Sequence, residues 1–276
     1  MSLQFGLQLY SVRDELKKDY WGTLEKLAAI GYKNLEIANH NAEEGLEPDA
    51  TELRKRLDAL GMKVVSTHID PIDRYEDIIA YNKELGSSAV ALGIAFFKNK
   101  QEVLDMCKQF NRHGEVYKKA GIDFYYHNHF QEFQKFDGQY IMDIILENTD
   151  KDLVKVELDT YWTVRGGVDP IAYLHKLGDR CDLVHQKDLT AAAQPVNLLE
   201  VVGEDADITF ERFIGVLQED HFSEVGEGTL DIAGIINAVK EIGAAKYIFV
   251  EQDMTARNQL ESVEISYRNI SKLFAN

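Results

Sequence analysis

The stretch KKAGIDFYYHNH, from Lys118 to His129, holds one whole structural unit. It reads as the end of an amphipathic helix, a stop at Gly121, and a short apolar strand that ends in His127 and His129. A glycine just past the last helical turn supplies the left-handed cap from which a chain turns back toward a strand. The same punctuation recurs at Gly31, Gly61, Gly86, Gly178 and Gly243. The runs that follow are almost continuously apolar. That argues burial on both faces, as in a parallel sheet covered by helices.

Working outward, strands are expected at Phe5–Tyr10, Asn34–Ala38, Lys63–His68, Ser88–Gly93, Ile122–His127, Leu153–Leu158, Cys181–His185 and Lys246–Glu251. Helices are expected at 19–30, 48–60, 71–86, 99–120, 139–149, 169–178, 231–243 and 258–274. Eight strand–helix units at this spacing predict an α/β fold, a (β/α)8 TIM barrel forming a single domain over residues 1–276. A doubly wound open sheet is the alternative, but no G-x-G-x-x-G follows the first strand. Residues 189–228 form a long insertion after the seventh strand, with a helix near 209–219. At that end of a barrel it faces the mouth, either as a lid or specificity loop or as a subunit contact in a homo-oligomer.

Lys plus Arg is 30 and Asp plus Glu is 47, so the formal balance is 30 − 47 = −17. This opposes non-specific binding to nucleic acid or to an anionic membrane. No segment is long and apolar enough to span a bilayer. Cys107 and Cys181 are too few for a disulfide framework and read as buried thiols. The N-terminus lacks a signal-peptide pattern, which points to a cytoplasmic location.

Four of the apolar runs end in residues able to bind a divalent ion: His127, Asp159, His185 and Glu251. Unpaired carboxylates and imidazoles are costly to bury, so their presence at strand ends calls for a reason. In a closed barrel all strand ends surround one opening. The set supplies N and O donors suited to Mn²⁺, Mg²⁺, Co²⁺ or Zn²⁺. Side chains at i and i+2 on a strand share a face. Glu157 therefore points with Asp159, His129 with His127, and Lys187 with His185. Each ligating imidazole needs a partner for its other nitrogen, and Glu157, Glu132 and His129 are candidates. Lys187 suits a developing negative charge or a salt bridge to Asp188 or Glu251. Gln8, Tyr10, Glu36, His68, Trp162 and Arg165 complete the polar and aromatic mouth, with Arg13, His40, Asp70 and Asp253 nearby. Trp162 could cover a sugar face or simply pack. RGGVDP reads as a turn with Asp169 as N-cap and Pro170 at the first helical position. GEG at 226–228 lacks an adjacent Lys-Ser/Thr and is not a P-loop.

These residues resemble the sugar isomerase/epimerase superfamily with xylose-isomerase-like TIM barrels. The likeness runs through GLQLYSVR, GYKNLEI, YYHNHFQEF, VKVELDTYWTVRGGVDP, VHQKD, EVGEGTLD and FVEQD. That superfamily includes ketose 3-epimerases, inosose dehydratase, dehydroshikimate dehydratase, hydroxypyruvate isomerase and, more distantly, endonuclease IV. The resemblance implies one divalent metal, commonly Mn²⁺. Asp159, His185 and Glu251 match the family's Asp, His and last Glu. The strand-five ligand is usually a Glu in an E-N-H-like stretch, where this chain has His127-Asn128-His129. Either His127 ligates the metal, or Glu132 or Glu157 supplies the missing carboxylate. The implied activity is a metal-dependent isomerase or epimerase acting on a sugar or keto-sugar through a metal-bound enediolate. Glu251, or the imidazole of His127 opposite, would take the proton, while Lys187 and His68 stabilise charge. The alternative is a metal-dependent dehydratase, a lyase, of a keto-polyol such as an inosose. A nuclease fits poorly, given the acidic balance and the shortage of further ligands. A non-catalytic sugar-binding barrel would leave the metal set without a use.

Overall fold

The computed structural model describes residues 3–39, 46 and 48–275. Among these, eight parallel strands close into a barrel: β1 (Gln4–Gln8), β2 (Asn34–Asn39), β3 (Lys63–Ile69), β4 (Ala89–Leu92), β5 (Asp123–His127), β6 (Val154–Asp159), β7 (Cys181–Gln186) and β8 (Tyr247–Val250). Each pairs with its sequence neighbours, and β8 pairs with β1 to complete the ring. The covering helices are α1 (Tyr20–Ile30), α2 (Ala50–Leu60), α3 (Tyr75–Leu85), α4 (Lys100–Lys119), α5 (Ile141–Asn148), α6 (Pro170–Leu177), α7 (Ile232–Ile242) and α8 (Gln259–Ala275). The chain is thus a single-domain (β/α)8 barrel, and the open-sheet alternative falls. No helix among the described residues is long and apolar enough to cross a membrane.

The main core lies between strands and helices, where Leu35, Ile37, Val90, Phe124, Val156 and Val184 are buried against Leu24, Leu53, Val103 and Ile236. A smaller cluster of Ala89, Ala91, Tyr125, Leu183 and Phe249 fills the barrel interior below the mouth. Both cysteines are free and buried.

Two expectations shift. The first strand ends at Gln8, not Tyr10, because the Gln8 side chain accepts from the Tyr10 N–H at 3.2 Å and starts a 3-10 turn at Leu9–Val12. Gly178 (φ 53°, ψ −126°) is not a left-handed cap but opens a 3-10 turn through Arg180. Arg180 draws that turn inward by donating to the carbonyls of Leu146 at 2.7 Å and Val154 at 3.0 Å. Asp169 does cap α6, accepting from Ile171 N at 2.9 Å with Pro170 in the first turn.

The insertion carries short helices at Leu199–Val202 and Phe210–Gly215, the second shorter than expected. Its exposed large apolar side chains are Val201, Phe210 and Ile214. Two short strands, Asp188–Leu189 and Phe222–Ser223, pair antiparallel and close its base. Asp188 accepts from the backbone N–H groups of Leu189, Gly226, Gly228 and Leu230 at 2.8–3.1 Å. That is the use of the GEG turn, and it takes Asp188 away from Lys187. Asp188→Ala is expected to lower stability by about 3 kcal/mol, since each hydrogen bond to a charged group contributes roughly 1.5–3 kcal/mol. Urea denaturation measures this. Gly228→Ala is expected to be damaging too, because its Cβ would lie 2.3 Å from Asp188 Oδ1 and 2.6 Å from the Leu189 carbonyl oxygen.

Two register shifts set which side chains enter the barrel. Between β2 and β3, Leu35 pairs with Val64 but Glu36 with Ser66, leaving Val65 as an extra residue. Between β6 and β7, Val156 pairs with Cys181 but Glu157 with Leu183, leaving Asp182 extra. One extra residue flips the alternation of everything beyond it. His68 and His185 therefore point inward beside Glu36 and Asp159, where an unbroken register would turn them toward the helices.

Candidate metal centre

The inward side chains form two layers. The floor holds Glu36, His68, Glu157 and the Nε2 edge of His185. Glu36 Oε2 lies 2.5 Å from His185 Nε2 and accepts from Gln8 Nε2 at 2.8 Å. Glu157 Oε2 lies 2.6 Å from His68 Nε2 and 3.3 Å from both His185 Nε2 and His127 Nδ1. The imidazoles of His68 and His185 stack at 5.3 Å, and His127 meets His185 edge-on at 4.5 Å.

The upper layer holds Asp159, Lys187, Glu251 and Asp253. Asp159 ends β6 and caps the short helix Thr160–Arg165, its Oδ1 accepting from Trp162 N at 2.8 Å. That leaves Oδ2 for the cavity, where Lys187 Nζ donates to it. The same Nζ lies 2.5 Å from Glu251 Oε2 and 3.7 Å from Asp253 Oδ1. Glu251 Oε2 also meets His185 Nδ1 at 2.7 Å. His127 Nε2 is 3.9 Å from Asp159 Oδ2.

Charge follows from this packing. Burial lowers the His127 pKa to about 4, so its imidazole is neutral at pH 7, the ligating form. Burial would lower His185 as well, but Glu157, Glu36 and Glu251 hold it well above its ordinary value. For Lys187, Asp159, Asp253 and Glu251 overcome burial in the same way. Glu251 is held well below the usual carboxylate range, Lys187 and His185 outweighing its burial. Burial pushes Asp253 up to about 7.

His127, Asp159, His185 and Glu251 each offer a donor atom, and these atoms all lie within 4.8 Å of one another. Bonds of about 2.1 Å place two ligands of one ion at most roughly 4.2 Å apart. To share an ion the set would contract by about half an ångström, with Lys187 yielding its bonds to Asp159 and Glu251. Two carboxylates and two imidazoles suit a divalent cation in charge and donor type.

Several residues expected at the mouth lie elsewhere. Glu132 is fully buried, accepting from Tyr126 OH at 2.7 Å and His129 N at 2.8 Å, so it supplies no carboxylate to the centre. Arg165 turns to the insertion, donating to the Pro195 carbonyl at 3.2 Å with His221 Nδ1 also at 3.2 Å. Gln8, Glu36 and Glu157 lie in the floor, where Gln8 donates to Glu36 and Glu157 meets His68. Tyr10 stays at the rim under the Arg13 guanidinium, 4.2 Å away. Trp162 is buried, 5.4 Å from His129 and 5.6 Å from Phe213 of the insertion. Phe213 also lies 5.1 Å from His129. His40 falls outside the described residues.

Sequence reasoning passed over Asn128 and Phe213. The Asn128 side chain accepts from Asp159 N at 3.0 Å and donates to the Asp159 carbonyl at 3.4 Å, clamping the ends of β5 and β6. Its place between two inward histidines put it on the outward face, which is the available signal.

Glu132 gives a pH-dependent test of folding. Burial raises its pKa from 4.5 to about 7. A raised acid contributes stability fully below pH 4.5 and loses it as pH climbs through about 7. The span corresponds to about 3 kcal/mol at most. Wild-type stability minus that of Glu132→Gln is expected to fall between pH 5 and pH 8, measured by denaturant titration. A flat difference would contradict the assignment.

A sequence model described as Xylose isomerase-like TIM barrel matches residues 24–269. Inosose dehydratase of Clostridium beijerinckii is 24% identical over 266 residues, covering 86% of this chain and 84% of its own. The crystal structure of a sugar phosphate isomerase/epimerase from Parabacteroides distasonis is 27% identical with a TM-score of 0.76, covering 97% of this chain and 93% of that one. The structure of an IOLI protein with a bound zinc atom aligns at a TM-score of 0.72 and 15% identity over 99% and 98% of the two chains, a likeness of fold.

Proposed function

The chain belongs to the xylose isomerase-like TIM barrel family, and from that premise we propose a metal-dependent enzyme that isomerises, epimerises or dehydrates a keto-sugar or keto-polyol. The observation that carries it is the approach of His127, Asp159, His185 and Glu251 within 4.8 Å at the barrel mouth. These four would hold the metal, Mn²⁺ in the first instance, with Mg²⁺, Co²⁺ or Zn²⁺ as alternatives. When bound, a divalent ion supplies Lewis-acid polarisation of a carbonyl and acidifies the neighbouring C–H.

The chain's own groups do the rest. Glu251 is ionised and takes the proton from the carbon beside the carbonyl. Lys187, an ammonium within 2.5 Å of Glu251, faces the oxygen on which negative charge develops. His68 lends further positive character from the floor. The insertion acts as a lid, with Phe213 over His129 and Trp162 excluding water.

Returning the proton to another carbon or another face isomerises or epimerises the substrate. Loss of a β-hydroxyl dehydrates it. The dehydratase reading gains from His127, which leaves Glu251 without a carboxylate opposite on β5, and from the name of the Clostridium beijerinckii relative. Incubating Mn²⁺-loaded protein with ketoses and inososes in D₂O separates the outcomes by NMR. Deuterium in an intact carbon skeleton supports the first, loss of water the second. Absence of C–H exchange and of water loss across the panel would remove both.

A further inference from the structure

Glu36 is a carboxylate with no exposed surface, at the base of the centre and three strands round the barrel from β7. Gln8 and Glu36 are register partners on β1 and β2, so their side chains share the inward face. Gln8 Oε1 is taken by Tyr10 N at 3.2 Å, which directs its Nε2 to Glu36 Oε2 at 2.8 Å. The same Oε2 meets His185 Nε2 at 2.5 Å, while His185 Nδ1 meets Glu251 Oε2 at 2.7 Å. The register shift between β6 and β7 brings His185 to the inward face and so into reach of Glu36.

We propose that Glu36, held by Gln8, is a positioning residue that fixes the His185 ring through Nε2 and so sets the metal seat without touching substrate. The proposal rests on the metal reading above. Glu157 is the weaker partner, 3.3 Å from the same Nε2 and engaged by His68 at 2.6 Å. A second cation in the floor is the competing explanation, since His68, His127, Glu157 and His185 also offer donor atoms within 4.8 Å of one another. Glu36 is not one of that set, and its contact with His185 at 2.5 Å is a hydrogen bond. A carboxylate behind a metal-binding imidazole fixes its tautomer and orientation, and removing it typically weakens metal binding about 10- to 100-fold.

The test uses the full-length protein with Mn²⁺ or Co²⁺ alone. Glu36→Ala is expected to weaken Mn²⁺ binding about 10- to 100-fold in chelator competition and to alter the visible spectrum of the Co²⁺ form. Glu36→Gln keeps an oxygen for the Nε2–H and is expected to recover most of both. Gln8→Ala is expected to move them less, in the same direction. With metal saturating, KM in Glu36→Gln is expected to stay near wild type. Unchanged metal affinity in folded Glu36→Ala and Gln8→Ala overturns the proposal, as does a raised KM with intact metal binding. Should Glu36→Ala fail to fold, Gln8→Ala decides, and unchanged metal affinity and Co²⁺ spectrum in it overturn the proposal. Wild-type protein that takes up neither ion overturns this inference together with the metal reading. Wild-type protein that binds metal but turns over no keto-sugar or keto-polyol removes only the proposed activity.

Discussion

Asp159→Asn and Glu251→Gln are each expected to abolish metal retention and turnover in a protein that still folds as a barrel. Each removes a carboxylate whose oxygen stands among four donor atoms within 4.8 Å of one another. The loss of metal affinity is expected to exceed the roughly 100-fold effect of altering a residue behind the ligands. Asn keeps an oxygen for the Trp162 N–H, so the start of the Thr160–Arg165 helix survives. Stability should still drop, because Lys187 is 1% exposed and would lose one of its anionic partners. Breaking a buried pair in this way costs about 3–5 kcal/mol. Metal content after dialysis, circular dichroism and a turnover assay measure the three effects. An active protein that retains no metal would contradict the proposed chemistry.

Lys187→Met is expected to separate metal binding from chemistry. Met approximates the length of the lysine stem and packs against Trp162, whose ring lies 5.9 Å from Nζ. The four donors remain, so metal is retained. The ammonium that faces developing negative charge is gone. Removing one such preorganised group typically lowers kcat by about 10²- to 10³-fold. KM should change much less, since the interaction strengthens in the transition state rather than in the ground state. Steady-state kinetics at saturating Mn²⁺ measures this, and wild-type kcat in the variant would restrict Lys187 to a structural ion pair.

Much of the barrel was legible because its signals are local. Helix ends are marked by residues such as Gly61, Gly86 and Gly243, all left-handed in the structure. The strands between them are continuous apolar runs, and all eight lie within two residues of their expected bounds. The inward partnership of His127 with His129 follows from the two-residue period of a strand alone. Glu132 and Arg165 were misplaced for a different reason. Both follow a strand end closely in sequence, but their side chains are claimed by Tyr126 OH and by the Pro195 carbonyl. Neither partner can be named before the 3-10 turn at Gln131–Phe133 and the insertion are folded.

The amino-acid order therefore determined the eight repeating units, the closed barrel they build, and the donor types at its strand ends. Tertiary structure decided which of those donors meet. Val65 and Asp182 are each an extra residue against a neighbouring strand, and each turns the remainder of its strand by one position. Alternation is a property of one strand and can be read along it. Its phase relative to the adjacent strand is fixed only by the hydrogen-bonded pairing between them, which is why His68 and His185 share the barrel interior with Glu36 and Asp159.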